Sequence, residues 1–200
     1  MGARDLRARA ADDAAIAAAH AIYTPSMLTI YDVLVHGLSN RFAWRCRTKR
    51  LIDLYRSHLS RNHLEAGTGT GFFLDRCNPA GFDRLMLLDI NPNCLARSAQ
   101  RLARYQPELC EANLLEPFRL PPPRFDSIGL TYILHCLPGR MGEKLAAVDH
   151  LKSSLADGGV LFGATILGAG ISPNIPARAL LAAYNAKGVF NNFEDDFASL

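Results

Sequence analysis

Between Asn62 and Leu74 the chain reads N-H-L-E-A-G-T-G-T-G-F-F-L, an acid followed by three glycines at alternate positions. Gly67, Gly69 and Gly71 let a backbone turn sharply and approach a ligand with no Cβ in the way. Glu65 closes a short buried strand, His63 to Ala66, where a carboxylate can meet a ligand's ammonium group or ribose hydroxyls, and Thr68 lies within the loop. A second acid, Asp89, ends the run R-L-M-L-L-D eighteen residues after Gly71 and is followed by Ile90. That interval is close to the offset of about 20 that βαβ units use for a ribose-binding carboxylate. Asn91-Pro92 supplies a helix N-cap and a first-turn proline just beyond it, a role compatible with ribose binding by Asp89. The spacing departs from the dinucleotide fingerprint, because Phe72 or Leu74 stands where its last glycine belongs. Further on, Asn113 with the Leu114 amide offers a donor and an acceptor to an adenine edge, or else forms an Asx turn.

These groups need elements to carry them, and the chain alternates apolar strands with helices. Strands are expected over His63–Ala66, Leu85–Asp89, Leu109–Ala112, Ser127–Thr131 and Val160–Ile166. Helices are expected over Gly71–Cys77, Pro92–Tyr105, Arg140–Leu155 and Ile175–Asn185. The layout is α/β, a doubly wound, mainly parallel sheet with right-handed crossovers, whose site lies at the carboxyl ends of the strands near Glu65, Asp89, Asn113 and Thr131. One further helix is expected from about Ser39 to Leu59, with Phe42, Cys46, Leu51, Leu54 and Tyr55 inward. It leaves Arg41, Arg45, Arg47, Lys49 and Arg50 as a solvated face or as an attractor of an acidic substrate or partner.

The string E-x-G-x-G-x-G resembles the first motif of the class I S-adenosylmethionine-dependent methyltransferases. Asp89, the strand opening Phe125-Asp126, and the segment Leu151 to Phe162 with its Gly158-Gly159 turn follow in that family's order, and the resemblance covers roughly Ser57 to Leu167. It implies S-adenosylmethionine as cofactor, S-adenosylhomocysteine as product, and in-line methyl transfer to an oxygen, nitrogen or carbon atom. It also implies that Thr131 and Tyr132 lie by the methyl donor, Tyr132 as a candidate catalytic residue, and that His135 stands near enough to act as a base, unless it only packs against the loop. The residues L-T-Y-I replace the N-P-P-Y or D-P-P-Y of methyltransferases that act on DNA bases, which disfavours a base-modifying role. Shorter strings, among them Tyr23-Thr24-Pro25 and Asn40 to Cys46, are similar to small microbial methyltransferases of natural-product pathways. They imply a small-molecule acceptor and a helical lid, residues 1–56, whose Tyr23, Tyr31 and Trp44 wall the pocket over a cofactor-binding core at 57–167. The remaining residues, 168–200, read as a helical segment without the antiparallel strand pair that usually closes this fold. Either the parallel edge left open there is covered by a helix or by another subunit, or the C-terminal end is missing; an uncovered edge would invite association, and a homodimer is expected.

Composition fits one domain of this kind. The 200 residues are 49% hydrophobic, and no eighteen-residue apolar run could span a bilayer. A net charge of +3 is too small to imply a nucleic-acid partner. The mixed charges among Met1–Ala21 do not make a signal peptide, which places the protein in the cytoplasm. Five scattered cysteines, Cys46, Cys77, Cys94, Cys110 and Cys136, form no C-x-x-C pair and are expected to be reduced and mostly buried. No clustered His and carboxylate set implies a metal. Two other functions share the architecture: a nicotinamide oxidoreductase, opposed by the missing glycine, and a non-catalytic binding module that keeps the methyltransferase fold.

Overall fold

The run Leu85-Met86-Leu87-Leu88 has no polar alternation, so a strand built from it must bury both faces. In the computed structural model, which describes residues 23–77 and 81–200, all four of these side chains are buried. They lie in β2 (Arg84–Asp89), beside β1 (Asn62–Ala66), β3 (Glu108–Glu111), β4 (Phe125–Thr131) and β5 (Leu155–Ala164). Every pairing is parallel, in the order β3-β2-β1-β4-β5. The helices are α1 (Pro25–Tyr31), which runs on as a wide π-helix over Asp32–Ala43, then α2 (Thr48–His58), α3 (Phe72–Cys77), α4 (Pro92–Arg101), α5 (Met141–Lys152) and α6 (Ile175–Ala186).

Strand periodicity divides the core between two faces. Leu64, Ala66, Met86, Leu88, Ile128 and Leu130 pack on Met141, Ala147 and Leu151 of α5. On the opposite face Leu85, Leu87 and Phe162 meet Leu51 and Tyr55 of α2, Phe73 and Leu74 of α3, and Leu95 of α4. Each such leucine contributes about 1.5–3 kcal/mol when fully buried. The sheet is therefore doubly wound. Its strand order reverses between β1 and β4, and a crevice opens at their carboxyl ends.

Several elements differ from the sequence-based expectation. The single helix over Ser39–Leu59 does not form: the π-helix ends at Ala43, Arg45 takes φ +51°, and α2 begins at Thr48. The Trp44 amide donates five residues back to the Ser39 carbonyl at 2.9 Å, and the indole packs on Phe190. The break splits the expected apolar stripe, so Leu51 and Tyr55 stay inward while Phe42 is 58% exposed. Gly158 and Gly159 do not turn the chain between helix and strand. They sit in a bulge of β5, between Leu155 opposite Phe125 and Val160 opposite Ser127. Gly158 has φ +76°, and a Cβ on Gly159 would stand 2.9 Å from the Ala156 carbonyl. That early strand start ends α5 at Lys152, while α4 stops at Arg101 and tightens into a 3₁₀ turn over Ala103–Tyr105. Of the cysteines, all free, only Cys77 and Cys94 are buried, and the other three are half-buried.

No strand follows β5 among the described residues. The chain past α6 instead straps back across the end of β5. Asn192 donates to the Ile166 carbonyl at 2.7 Å, and the Asp195 carbonyl accepts from the Gly168 and Ala169 amides. Lys144, 0% exposed, holds this strap through the Asp195 carboxylate, 1% exposed, at 2.5 Å. No described helix is long and apolar enough to cross a membrane. The part of the expected helical lid that falls on residues 1–22 lies outside the described residues.

Candidate active site

The chain leaving β1 turns at once, the Gly67 amide donating to the Leu88 carbonyl at 2.7 Å. Gly67, Gly69 and Gly71 all adopt positive φ, which L side chains rarely tolerate. Gly69 is the informative one, because a Cβ built on it would meet nothing within 4 Å. Its face looks into a cavity, open to solvent, at the β1/β4 crevice. Glu65, Gly67, Thr68, Gly69, Gly71, Asp89, Ile90, Asn113, Leu114 and Thr131 all line it, so residues from four strand ends converge as expected.

The polar members are already positioned. Asp89 accepts from the Thr68 amide at 2.9 Å through one carboxylate oxygen and from the Asn91 amide at 2.9 Å through the other, tying the glycine loop to the tip of β2. Glu65 is buried and accepts from the Tyr55 hydroxyl at 2.5 Å, with His63 Nε2 3.0 Å from its other oxygen. His63 in turn reaches Ser127, and Ser127 reaches Ser60, so the carboxylate ends a chain of polar contacts across β1 and β4. The Asn113 side-chain oxygen accepts from the Leu115 amide at 3.0 Å, which is the Asx turn. That leaves the side-chain NH2 as the part of Asn113 open to a ligand.

Around the far wall stand aromatic rings. Tyr23 and Tyr31 both line the cavity, with ring centroids 5.7 Å apart. Trp44, expected with them, does not line it: its ring packs with Phe190 in the cluster of Leu181 and Val189. Tyr132 lines the cavity at φ +64°, a strained left-handed conformation at the end of β4. Its hydroxyl donates to Asn40 at 2.8 Å, and burial pushes its pKa up, so the phenol of this candidate catalytic residue stands as wall and anchor.

His135 is the main correction. The 3₁₀ turn Leu134–Cys136 carries its ring away from the cavity and against Phe190, with centroids 4.4 Å apart. Nδ1 accepts from the Ile166 amide at 3.3 Å, and burial, with Lys144 adding to it, lowers the pKa to about 3. The ring is absent from the cavity lining. A histidine buried in the neutral form destabilises the fold in acid. Its folded pKa lies below the unfolded value of about 6.5, so its contribution is present above pH 6.5 and is lost as the pH falls toward 3, by about 1.4 kcal/mol per unit. Urea denaturation from pH 7 to 4 should show falling stability, and His135→Phe should flatten that slope. An unchanged slope would contradict this assignment.

Sequence reasoning missed three features of the wall. His36 lines the cavity and stacks on Phe72 with centroids 4.2 Å apart. Asp32 accepts from Thr70 and from Arg101, each at 2.6 Å, which latches the π-helix to the glycine loop and α4. Asn40 passes the Tyr132 contact on to Thr48 at 3.1 Å, and Thr48 donates to the His36 carbonyl. Their partners lie between 8 and 92 residues away in the chain, and only the i→i+5 winding of the π-helix brings them to one wall.

Comparisons with known proteins match this geometry. Residues 64–161 match a family described as a methyltransferase domain. The chain is 40% identical over 179 residues to demethylluteothin O-methyltransferase of Streptomyces thioluteus, covering 89% of this chain and 78% of that one. It belongs to the S-adenosylmethionine-dependent methyltransferases. A second relative of this methyltransferase, the physcion biosynthesis cluster O-methyltransferase of Aspergillus chevalieri, is 36% identical over 181 residues, 90% of this chain and 82% of the relative. In fold it is similar to N-methyltransferase NodS from Bradyrhizobium japonicum WM9, solved with S-adenosylhomocysteine, at TM-score 0.56 and 22% identity over 79% of this chain and 84% of that one. The cofactor is S-adenosylmethionine. The methyltransferase cavity has the features that cofactor needs: space beside Gly69 where any Cβ would intrude, and an acid at each of two strand ends.

Proposed function

We propose that this methyltransferase methylates a hydroxyl oxygen of a neutral, planar small molecule. The observation that carries the reading is the composition of the cavity wall: Tyr23, Tyr31, Phe72 and Tyr132 line it, and no Lys or Arg among the described residues does. Flat apolar acceptors fit such a wall better than anionic ones do. The two relatives above are both O-methyltransferases, which favours oxygen as the acceptor atom.

On this reading Glu65 takes the ammonium end of the cofactor, Gly67, Thr68, Gly69 and Gly71 cradle it, and Asp89 with Ile90 holds the ribose. Asn113 and Leu114 meet the adenine, and Thr131 borders the methyl. Bound there, S-adenosylmethionine supplies an electrophilic methyl on a sulfonium. The chain's own part is alignment and exclusion of water. Good alignment alone supplies about 7–11 kcal/mol in the best cases. Residues 1–56 act as the lid, 57–167 as the cofactor core and 168–200 as the closing segment of a single domain.

The remaining proposals concern surroundings. Ile30, Val33, Leu38 and Phe42 are exposed on α1 and the π-helix, and Val160 is exposed on the edge strand β5. We take these apolar surfaces as favouring a homodimer, and a monomer in sedimentation at high concentration would contradict that. Five free thiols fit a reducing cytoplasm, and the modest charge gives no nucleic-acid surface. The direct test is incubation with S-adenosylmethionine and single acceptors: 1-naphthol, 4-hydroxy-6-methyl-2-pyrone, benzylamine and benzoate. Mass spectrometry should find a methyl ether of a hydroxylated ring. Methylation of the amine or carboxylate alone would overturn the reading.

A further inference from the structure

Among the described residues His36 is the one imidazole that lines the cavity, and its environment is unusual. The residue is 8% exposed, and its Nδ1 is enclosed without a hydrogen-bond partner. No described residue bonds the other ring nitrogen either. Buried polar atoms are nearly always satisfied, so an unpaired imidazole on a cavity wall marks a place where a ligand completes the bonding. The ring is also held in place. Phe72 stacks on it at 4.2 Å, Phe73 meets it edge-on at 4.8 Å, and Tyr132 lies parallel with centroids 6.4 Å apart. Its backbone carbonyl accepts from Thr48, whose hydroxyl also accepts from Asn40, and Asn40 accepts from Tyr132. The strained end of β4 and the imidazole are thus fixed to each other through two polar side chains.

We propose that His36, not His135, binds the hydroxyl of the acceptor and takes its proton during methyl transfer. This inference rests on the O-methylation reading above. In the step, the acceptor oxygen attacks the sulfonium methyl carbon, the C–S bond breaks with its electron pair remaining on sulfur, and the hydroxyl proton passes to the imidazole. The proton leaves to water when the products go. Charge makes this favourable in a cavity that no described Lys or Arg lines. As the sulfonium becomes a neutral thioether the imidazole becomes cationic, so one positive charge moves within the pocket and none is created.

The charged and titratable groups facing His36 are Asp32 on its own helix, Arg76 of α3, Arg101 of α4, and Tyr31 and Tyr132. Burial, opposed by Asp32 and aided by the two arginines, holds its pKa near 4, so at neutral pH the ring is a neutral acceptor. Turnover on a hydroxylated ring should then be flat between pH 6 and 8.

The test compares wild type with His36→Gln and with His36→Phe, which retains a stacking ring without nitrogen. For 1-naphthol methylation, both variants should lose about 100-fold or more in kcat, the low end for a general base. The residual rate of His36→Gln should climb about tenfold per pH unit, as expected when only the ionised hydroxyl reacts. Binding of S-adenosylhomocysteine and the melting temperature should stay near wild type, which separates this role from loss of fold or cofactor. Independently of turnover, adding 1-naphthol to the S-adenosylhomocysteine complex should shift the His36 ring 15N resonances. Wild-type turnover in His36→Phe, or no 15N shift, would overturn the proposal. A wild type that methylates no hydroxyl would instead overturn the O-methylation reading, and the 15N result would still decide whether His36 recognises one.

Discussion

Replacing Asp89 by asparagine is expected to weaken S-adenosylhomocysteine binding by about 30–150-fold, a loss of about 2–3 kcal/mol from charge-assisted hydrogen bonds to the ligand. Two features of the site make the effect large. The carboxylate ends β2 beside β1, next to the crevice where the strand order reverses and the ligand must lie. It also spends an oxygen on each of two backbone amides, Thr68 and Asn91. An asparagine can present oxygen to only one of them and must turn its NH2 toward the other, donor against donor, which loosens the glycine loop as well. Melting temperature is a convenient readout. At a ligand concentration 100-fold above Kd the wild type should be stabilised by about 2.7 kcal/mol, and at that same concentration the variant by under about 1 kcal/mol. Equal shifts in both proteins would remove Asp89 from the site.

The second large effect belongs to stability. Lys144→Met should cost about 3–5 kcal/mol, because it leaves the Asp195 carboxylate buried and unpaired and takes the donor away from the Asn191 carbonyl. That is a substantial part of the 5–15 kcal/mol typical of a domain. The double variant Lys144→Met with Asp195→Leu should recover most of it, since apolar side chains of similar size replace a buried pair at little net cost. Urea denaturation measures both. If Lys144→Met loses less than about 1 kcal/mol, the strap from Val189 to Asp195 does not hold the end of β5 as described.

The contrast between these two residues shows what could be read from the chain. Asp89 was legible because a buried strand writes itself as an apolar run and its last residue must fall at the sheet's carboxyl edge. The three glycines were legible because positive φ at alternate positions excludes most other residues. Asn91 was legible too: it caps α4 by accepting from the Asn93 amide at 2.9 Å. Lys144 was not, because its partner lies 51 residues away and a lone lysine on a helix reads as solvated. Position in sequence was misleading for His135. It follows Tyr132 by three residues, yet the 3₁₀ turn that begins at Leu134 sends its ring toward Phe190. His36 escaped notice for the opposite reason: V-L-V-H-G-L-S-N has no catalytic spacing, and only the π-helical winding and the Asn40–Tyr132 contact bring it to the cavity.

The most direct test of the central claim is a calorimetric titration of the purified protein with S-adenosylmethionine and S-adenosylhomocysteine. One-to-one binding of both at micromolar concentration or tighter is the predicted result, and it would place the cofactor where Gly69 leaves space and Asp89 waits. A folded sample that binds neither would contradict the account at its base.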